Sequence, residues 1–385
     1  MSTNRRFLQG NAECGSGQRR HLRLRTDYRG PLLHTRDRRN ACRRADDNAF
    51  LVRSSQMSAT WRLRPGWSIT QVDGELRVRS DTRAFSVTSS QFCLDSLIER
   101  IRAGTLNVQS DLNSPAENSL ISALVTRGML IPSDAVHSQA QESPLAMYFT
   151  HVPSNPNSCF SLKDKRVAIL GLGGIGAGVL QHLVGSGLDH FLMLDFDLVS
   201  KRNLELQFIY RVSDVDRPKT DAAADYVHQR SSTAEIVSIN RRVSSRADLL
   251  DVINYSPDLV VICIDDPPEA SFDISAPLMW ENRIPTMHGG VMIRSGFFGP
   301  LFDPRVSPNH PYSFPLRSDS SVESICRLEM AFSPVNSTIS ALIAAEVIHF
   351  LCGATHLVDF VHRTFIDLDR GVFTKVQALR NNHVP

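Results

Sequence analysis

The sequence predicts an α/β fold built on a doubly wound, mainly parallel Rossmann-like sheet, preceded by a small winged-helix-like α+β domain. Three observations predict it. Apolar runs at residues 166–170, 191–196, 235–239 and 259–264 alternate with amphipathic stretches at 175–187, 218–229, 246–253 and 269–280, and strands alternating with helices of this length build parallel sheets. The first of these runs leads straight into a turn holding Gly171, Gly173, Gly174 and Gly176, where the backbone can fold tightly beside an anion at a helix start. Ahead of them, residues 57–132 read as short strands followed by helices. The expected organisation is therefore an extension at 1–56, a small domain at 57–132, a Ser-, Pro- and Asn-rich linker at 133–160 and the α/β domain at 161–385.

In the small domain, Trp67 and Ile69, Leu76 and Val78, then Phe85 and Val87 alternate with polar residues in strands expected over 61–71, 75–81 and 84–88, and Asp73-Gly74 makes a hairpin turn. Leu94, Leu97, Ile98 and Ile101 recur at helical spacing, with Gly104 as the stop. A second helix opens at Ser114-Pro115-Ala116-Glu117, a capping box with proline at the first helical position, and buries Leu120, Leu124 and Val125. In the large domain, an extended stretch at 291–302 precedes an irregular loop over 303–333. An apolar helix at 335–351 stops at Gly353, and strands follow at 360–368 and 372–378.

The formal net charge of +2 over 385 residues conceals an asymmetry. Residues 1–56 hold thirteen arginines, five acidic residues and no lysine, an excess of eight positive charges, so the rest of the chain carries −6. This stretch has few aromatics and no sustained periodicity. It reads as a disordered extension, or as sequence ahead of a functional start at Met57, in preference to a nucleic-acid-binding arm. No apolar segment follows Arg5 and Arg6 as in a signal peptide, and no unbroken run of about 18 apolar residues occurs, so a cytoplasmic protein with neither membrane nor nucleic-acid partner is expected. Seven scattered cysteines without a Cys-x-x-Cys pair argue against a disulfide framework and a structural zinc site. His349, Cys352 and His356 form the nearest approach to a ligand set, and a buried thiol near helix-terminal histidines is the plainer reading.

The glycine turn alone leaves NAD, FAD, SAM and ATP open. An acidic residue about twenty positions beyond such a turn holds a ribose, and Asp195 has that place. Four further phrases follow in order: Leu194-Asp195-Phe196-Asp197-Leu198-Val199, Asn203-Leu204-Glu205-Leu206-Gln207, Arg217-Pro218-Lys219-Thr220 and Val261-Ile262-Cys263-Ile264-Asp265-Asp266. With the turn, they resemble the adenylating family of ThiF, MoeB and the ubiquitin-activating enzymes across residues 160–380. The resemblance implies Mg-ATP as the cofactor. Gly171, Gly173, Gly174, Gly176, Asp195, Asp197, Asn203, Gln207, Lys219 and Asp265 would bind the nucleotide, with Lys219, Asp265 and Asn203 acting in catalysis and Asp265 holding Mg²⁺. The implied chemistry is attack of a carboxylate on the α-phosphate with loss of pyrophosphate. Only five lysines occur in the chain, which makes Lys219 at the family position more telling.

There are departures from the family. Leu206 stands where the family carries arginine, so a phosphate-facing cation must come from Arg202 or from a partner subunit. The zinc-binding Cys-x-x-Cys pairs are absent, the first being expected near residues 311–314, and no zinc is expected. Cys326 lies where some relatives carry a nucleophilic cysteine. His288, before Gly289-Gly290, is a candidate substrate contact or base, with a structural loop histidine the plainer reading.

The small domain resembles PqqD-type recognition elements in element order and in Arg64-Pro65-Gly66-Trp67 and Phe92-Cys93-Leu94-Asp95. That resemblance implies a ribosomally made precursor peptide whose leader adds beside the strand from Arg83 to Thr88 and packs on the helix between Pro115 and Gly128. A plain winged-helix domain without a peptide partner is the alternative. This domain order, with Gly296-Phe297-Phe298-Gly299-Pro300-Leu301-Phe302, resembles the peptide-antibiotic branch of the family, the microcin type and, lacking zinc pairs, especially the pantocin type. The branch implies a homodimer that adenylates a glutamate side chain, after which an intramolecular attack crosslinks or cyclises the core and releases AMP. Adenylation of a peptide C-terminus, activation of a ubiquitin-like carrier protein, a non-catalytic peptide binder and an NAD(P)-dependent oxidoreductase are the alternatives.

Overall fold

Alternation of buried and exposed side chains shapes the first of two units, Met1–Pro153 and Ser154–Pro385, into a small antiparallel sheet covered by helices. The structure is a computed structural model and describes residues 23–26, 60–64, 66–72, 75–80, 84–88, 94–107, 115–126, 129–133, 144–151, 161–267, 270–307 and 332–377. Strands β1 (Arg23–Thr26), β3 (Ser68–Val72), β4 (Glu75–Arg79) and β5 (Ala84–Thr88) form one sheet in the order β1-β5-β4-β3, while β2 (Trp61–Leu63) pairs with β6 (Leu130–Pro132). Ile69, Leu76 and Val78 point into a core shared with Leu97, Ile98 and Ile101 of α1 (Leu94–Ala103) and Leu120, Ile121 and Leu124 of α2 (Pro115–Thr126). Trp67 and Phe85 stack over its edge with ring centroids 6.0 Å apart. Gly104 ends α1 at φ +70, a conformation that costs glycine nothing.

Three features of this unit differ from the sequence reading. The strand expected over 61–71 is broken at Arg64–Trp67, where Trp67 N donates to Arg64 O at 3.1 Å, so its two halves join different sheets. The expected linker contains helix α3 (Pro144–His151), which buries Ala146 and Phe149. Its apolar spacing was present in the sequence but was hidden by flanking Ser, Pro and Asn. Residues 23–26, expected to be irregular, form β1 and pair antiparallel with β5, Leu24 opposite Val87 and Thr26 opposite Phe85. A four-residue segment carries too little periodicity to be seen alone, and a neighbouring strand edge supplies its order.

In the second unit, eight strands run in the order β14-β13-β12-β11-β10-β7-β8-β9. They are β7 (Arg166–Leu170), β8 (His190–Asp195), β9 (Glu235–Asn240), β10 (Leu259–Ile262), β11 (Thr286–Val291), β12 (Ser295–Phe298), β13 (His362–Asp367) and β14 (Val372–Gln377). The pairings from β9 through β11 are parallel and those from β11 through β14 antiparallel. Buried on both faces, β7 and β10 are continuous apolar runs, as central parallel strands require. The extended stretch expected at 291–302 is a hairpin of β11 and β12, with Gly289 opposite Phe298.

The helices are α4 (Gly174–Gly185), α5 (Lys219–His228), α6 (Leu250–Tyr255), α7 (Ala276–Glu281) and α8 (Ser333–Leu351). The helical patterns at 246–253 and 269–280 begin as a 3₁₀ turn and a π turn before α6 and α7. Among the described residues, α8 is the one helix long and apolar enough to cross a membrane by length and composition. It packs against α4, β11 and β12.

Candidate active site

After β7 the chain builds β8 and β9 on one side and β10 and β11 on the other. Helices leave the strand ends in opposite directions at such a reversal, and ligands bind in the crevice between. Here the crevice is a cleft of about 600 Å³ at the C-terminal ends of β7, β8, β10 and β11. Its floor is the glycine turn. Gly171 adopts φ +93, and a Cβ there would lie 2.6 Å from Cys263 O; one on Gly176 would lie 1.9 Å from Gly171 O. Both glycines are demanded by the fold itself. Gly173 is different, because a Cβ there would meet nothing within 4 Å. That open space faces the start of α4, where unpaired N–H groups and the helix dipole favour an anion.

Asp195, at the end of β8, is 8% exposed and is held by two backbone donors, Leu172 N to Oδ2 at 2.5 Å and Asp197 N to Oδ1 at 2.8 Å. Burial pushes its carboxyl above the usual range, while Lys219 and the two N–H groups oppose the shift. Lys219 opens α5, is 5% exposed, and places Nζ 2.7 Å from Asp197 Oδ2. Asp265 lies beyond the end of β10; its side chain reaches solvent, yet surrounding protein pushes its carboxyl up, Lys219 pulls it down, and Asp197 and Asp195 push it further up. The three carboxylates thus share one buried cation across the cleft.

Asn203 sits in a 3₁₀ turn, Lys201–Glu205, and its Oδ1 accepts from Ser200 N at 2.8 Å, closing a capping box. Its amide nitrogen is the part left for a ligand. Gln207 follows, 7% exposed, and its Oε1 lacks a hydrogen-bond partner among the described residues. Every nucleotide-binding residue expected from the sequence lines the cleft except Gly176, which shapes the turn from behind.

The cleft also contains residues that the sequence reading did not select. Arg241 lines it from just beyond β9 and is tied to Asp251 Oδ2 at 2.8 Å. Arg242 clamps Asp266 with two bonds of 2.9 Å and lies over the Phe196 ring, bracing the rim. Their position one step past a strand end was a usable signal. Asn336, in the first turn of α8, lines the cleft beside Gly174; a polar residue near the start of a mainly apolar helix was its only mark. Leu206 and Arg202 both line the wall.

His288 does not line the cleft. It is fully buried, with Nε2 3.1 Å from Thr286 Oγ1 and the Phe302 ring edge-on at 5.6 Å, and burial pushes its imidazole down to about 3, Arg363 adding to the effect. It is a neutral core residue and neither a base nor a substrate contact. Cys352 is buried at the end of α8. Cys326 and residues 311–314 lie outside the described residues.

A nucleotide fits what is present among the described residues: an open glycine cradle, a buried cation, a buried carboxylate and the unpartnered oxygen of Gln207. Among the described residues, no three His, Cys, Asp or Glu side chains come close enough to hold a metal. Mg²⁺ would therefore be held by Asp265 together with nucleotide phosphates and water, the usual arrangement for this reluctantly dehydrated ion.

A relative among curated proteins is the molybdopterin-synthase adenylyltransferase of Salmonella typhimurium, 35% identical over 106 residues, which are 28% of this chain and 42% of that one. The chain spans less than half the length of the curated relatives it matches. Among solved structures, E. coli MccB crystallised with ATP superposes with a TM-score of 0.70 at 21% identity, covering 84% of this chain and 98% of that one. PaaA superposes with a TM-score of 0.60 at 17% identity over 81% and 98%. At such identities these two likenesses concern the fold. The ThiF family model matches residues 152–383, a span that takes in more than half of the chain and the whole cleft, and the chain therefore belongs to the ThiF family.

Proposed function

We propose that this protein is an ATP-dependent adenylating enzyme that activates a carboxylate of a ribosomally made precursor peptide. The observation that carries the reading is the gathering of Asp195, Lys219 and Asp265 around an open glycine turn at the sheet's reversal point. In this arrangement Asp195 accepts from the ribose hydroxyls. The N–H groups at the start of α4, Lys219, Asn203 and Gln207 face the phosphates. Lys219 is aimed by its bond to Asp197, so its ammonium is in place before charge develops on the leaving oxygens, which is where electrostatic preorganisation acts. Mg²⁺, held at Asp265, would supply charge neutralisation on the phosphates. The peptide carboxylate oxygen attacks the α-phosphorus, the bond to the bridging oxygen breaks, and pyrophosphate departs. A nucleophile in the same peptide then attacks the activated carbonyl, loses a proton and releases AMP, leaving a crosslinked or cyclised core. A glutamate side chain is the proposed carboxylate, by likeness to the pantocin type.

The small N-terminal unit supports a peptide as substrate. Its β5 carries an antiparallel strand, β1, along its outer edge, which is the geometry of β-augmentation. We assign this edge and α2 as the site of a peptide leader, with β1 as the strand the leader replaces. MccB, solved with N-formylated MccA, is a fold neighbour that takes such a partner. Activation of a carrier-protein tail would leave this unit without a role. A cytoplasmic homodimer is the proposed working form.

The test is mass spectrometry of a candidate precursor peptide after incubation with enzyme, ATP and Mg²⁺. Loss of one water from the peptide for each AMP and pyrophosphate released is the expected result. A product carrying AMP would shift the reading to C-terminal adenylation. Strict dependence on NAD(P)H, or ADP as the nucleotide product, would overturn it.

A further inference from the structure

Asn336 is 2% exposed, and neither its Nδ2 nor its Oδ1 has a hydrogen-bond partner among the described residues. A buried amide left unsatisfied costs free energy that a native structure rarely tolerates without a use. Asn336 also lines the cleft. Its unpaired amide therefore stands in the cleft wall, where a bound ligand could pair with it.

The packing of two helices puts it there. A Cβ on Gly174 would come within 2.4 Å of Asn336 Nδ2, and a Cβ on Gly178 within 2.5 Å of Ser340 Oγ. Ser340 Oγ in turn lies within donating distance of two carbonyl oxygens, Ile175 O at 3.0 Å and Asn336 O at 2.7 Å. The two contact pairs ascend together, one turn apart on each helix, so α4 and α8 run parallel and begin at the same end. Glycines at 174 and 178 permit the close approach. The consequence is electrostatic: two helix starts, not one, turn their positive ends toward the glycine turn.

The cleft needs that second field. Four aspartates and three cations line it. Lys219 is bonded to Asp197 and Arg241 to Asp251. Fixed side-chain charge alone gives a polyanion little attraction here, and neutral donors on helix starts add to the neutralisation that Mg²⁺ would supply.

We propose that Asn336, with the first turn of α8, forms a subsite for the pyrophosphate portion of the bound nucleotide, Nδ2 donating to a phosphate oxygen. This rests on the nucleotide reading above. Asp195, through its bond from Leu172 N, marks the ribose end of the glycine turn, and Asn336 touches the turn at Gly174, farther along toward the helix start. The β- and γ-phosphates lie on that side. AMP does not reach it.

The experiment is calorimetric binding of ATP, inorganic pyrophosphate and AMP, each with Mg²⁺, to the full-length protein and to its Asn336→Asp and Asn336→Ala variants. Losing one hydrogen bond to a charged group weakens binding about tenfold or more. We expect that loss for ATP and pyrophosphate in both variants, larger for Asn336→Asp, with AMP unchanged. Thermal unfolding without nucleotide separates folding from binding, and Asn336→Ala that still melts cooperatively keeps the test valid if Asn336→Asp does not fold. Equal weakening of AMP and ATP, or no weakening of either, overturns the subsite while leaving the nucleotide reading in place. Failure of the unaltered protein to bind ATP removes both.

Discussion

Replacing Lys219 by methionine separates the site's electrostatics from its packing. Methionine keeps the buried stem of this side chain while removing the ammonium. The ion pair to Asp197 spans 2.7 Å, but Asp197 is 46% exposed and regains water when the ammonium is lost. With Lys219 buried and only Asp197 reaching solvent, the pair's contribution to folding is about 1 kcal/mol, at the upper end for solvent-reaching pairs. The effect on turnover is expected to be large, because one fixed charge at a transferring phosphoryl group is worth about 10²–10³ in kcat. The assay is pyrophosphate release, together with the melting temperature measured across pH.

The folded Asp195 carboxyl sits above its ordinary value because it is buried, with Lys219 holding the shift down. The folded state therefore binds this proton more tightly than the unfolded state, and acid favours folding through this group while rising pH costs stability. Without Lys219 the shift grows, so Lys219→Met should gain more stability than the unaltered protein as pH falls toward the ordinary carboxylate value of 3.8. Turnover within threefold of the unaltered protein, or the same pH dependence of melting in both, would refute the reasoning.

Gly173→Ala should leave the melting temperature nearly unchanged and weaken ATP, since its Cβ enters open cleft, whereas Gly176→Ala should destabilise the fold by about 1–3 kcal/mol because its Cβ meets Gly171 O. Thermal melts with and without ATP distinguish the two. His288, pushed from near 6.5 to about 3, stays neutral while the unfolded chain takes up a proton, so stability should fall by about 1.4 kcal/mol per pH unit as pH drops from 6.5 toward 3. His288→Leu should remove that share of the slope in acid denaturation, and an unchanged slope would contradict its burial. Replacing both Leu24 and Arg25 by proline should free the β5 edge, since consecutive prolines remove a ladder donor whichever of the two faces it. A labelled synthetic peptide of residues 18–30 should then bind the variant and not the unaltered protein by fluorescence anisotropy; equal binding to both would refute the exchange.

Most of the fold and the residues of the cleft could be read from the sequence. Strands β7 and β10, buried on both faces, are unbroken apolar runs, and the glycine turn, Asp195, Lys219 and Asp265 each stand where a strand or turn of local pattern ends. Such positions are legible because local periodicity sets the strand ends and the sheet's reversal gathers them. What the sequence left undecided depends on contacts between distant segments. His288 follows the same strand-end logic, yet its ring lies in the core beside Phe302 because Cβ direction alternates along β11. Residues 23–26 gain their order only from the edge of β5. Asn336 and Gly174 are 162 positions apart, and nothing in either neighbourhood announces the other. The parallel packing of α4 on α8 brings them together, and with them the second helix start that faces the cleft.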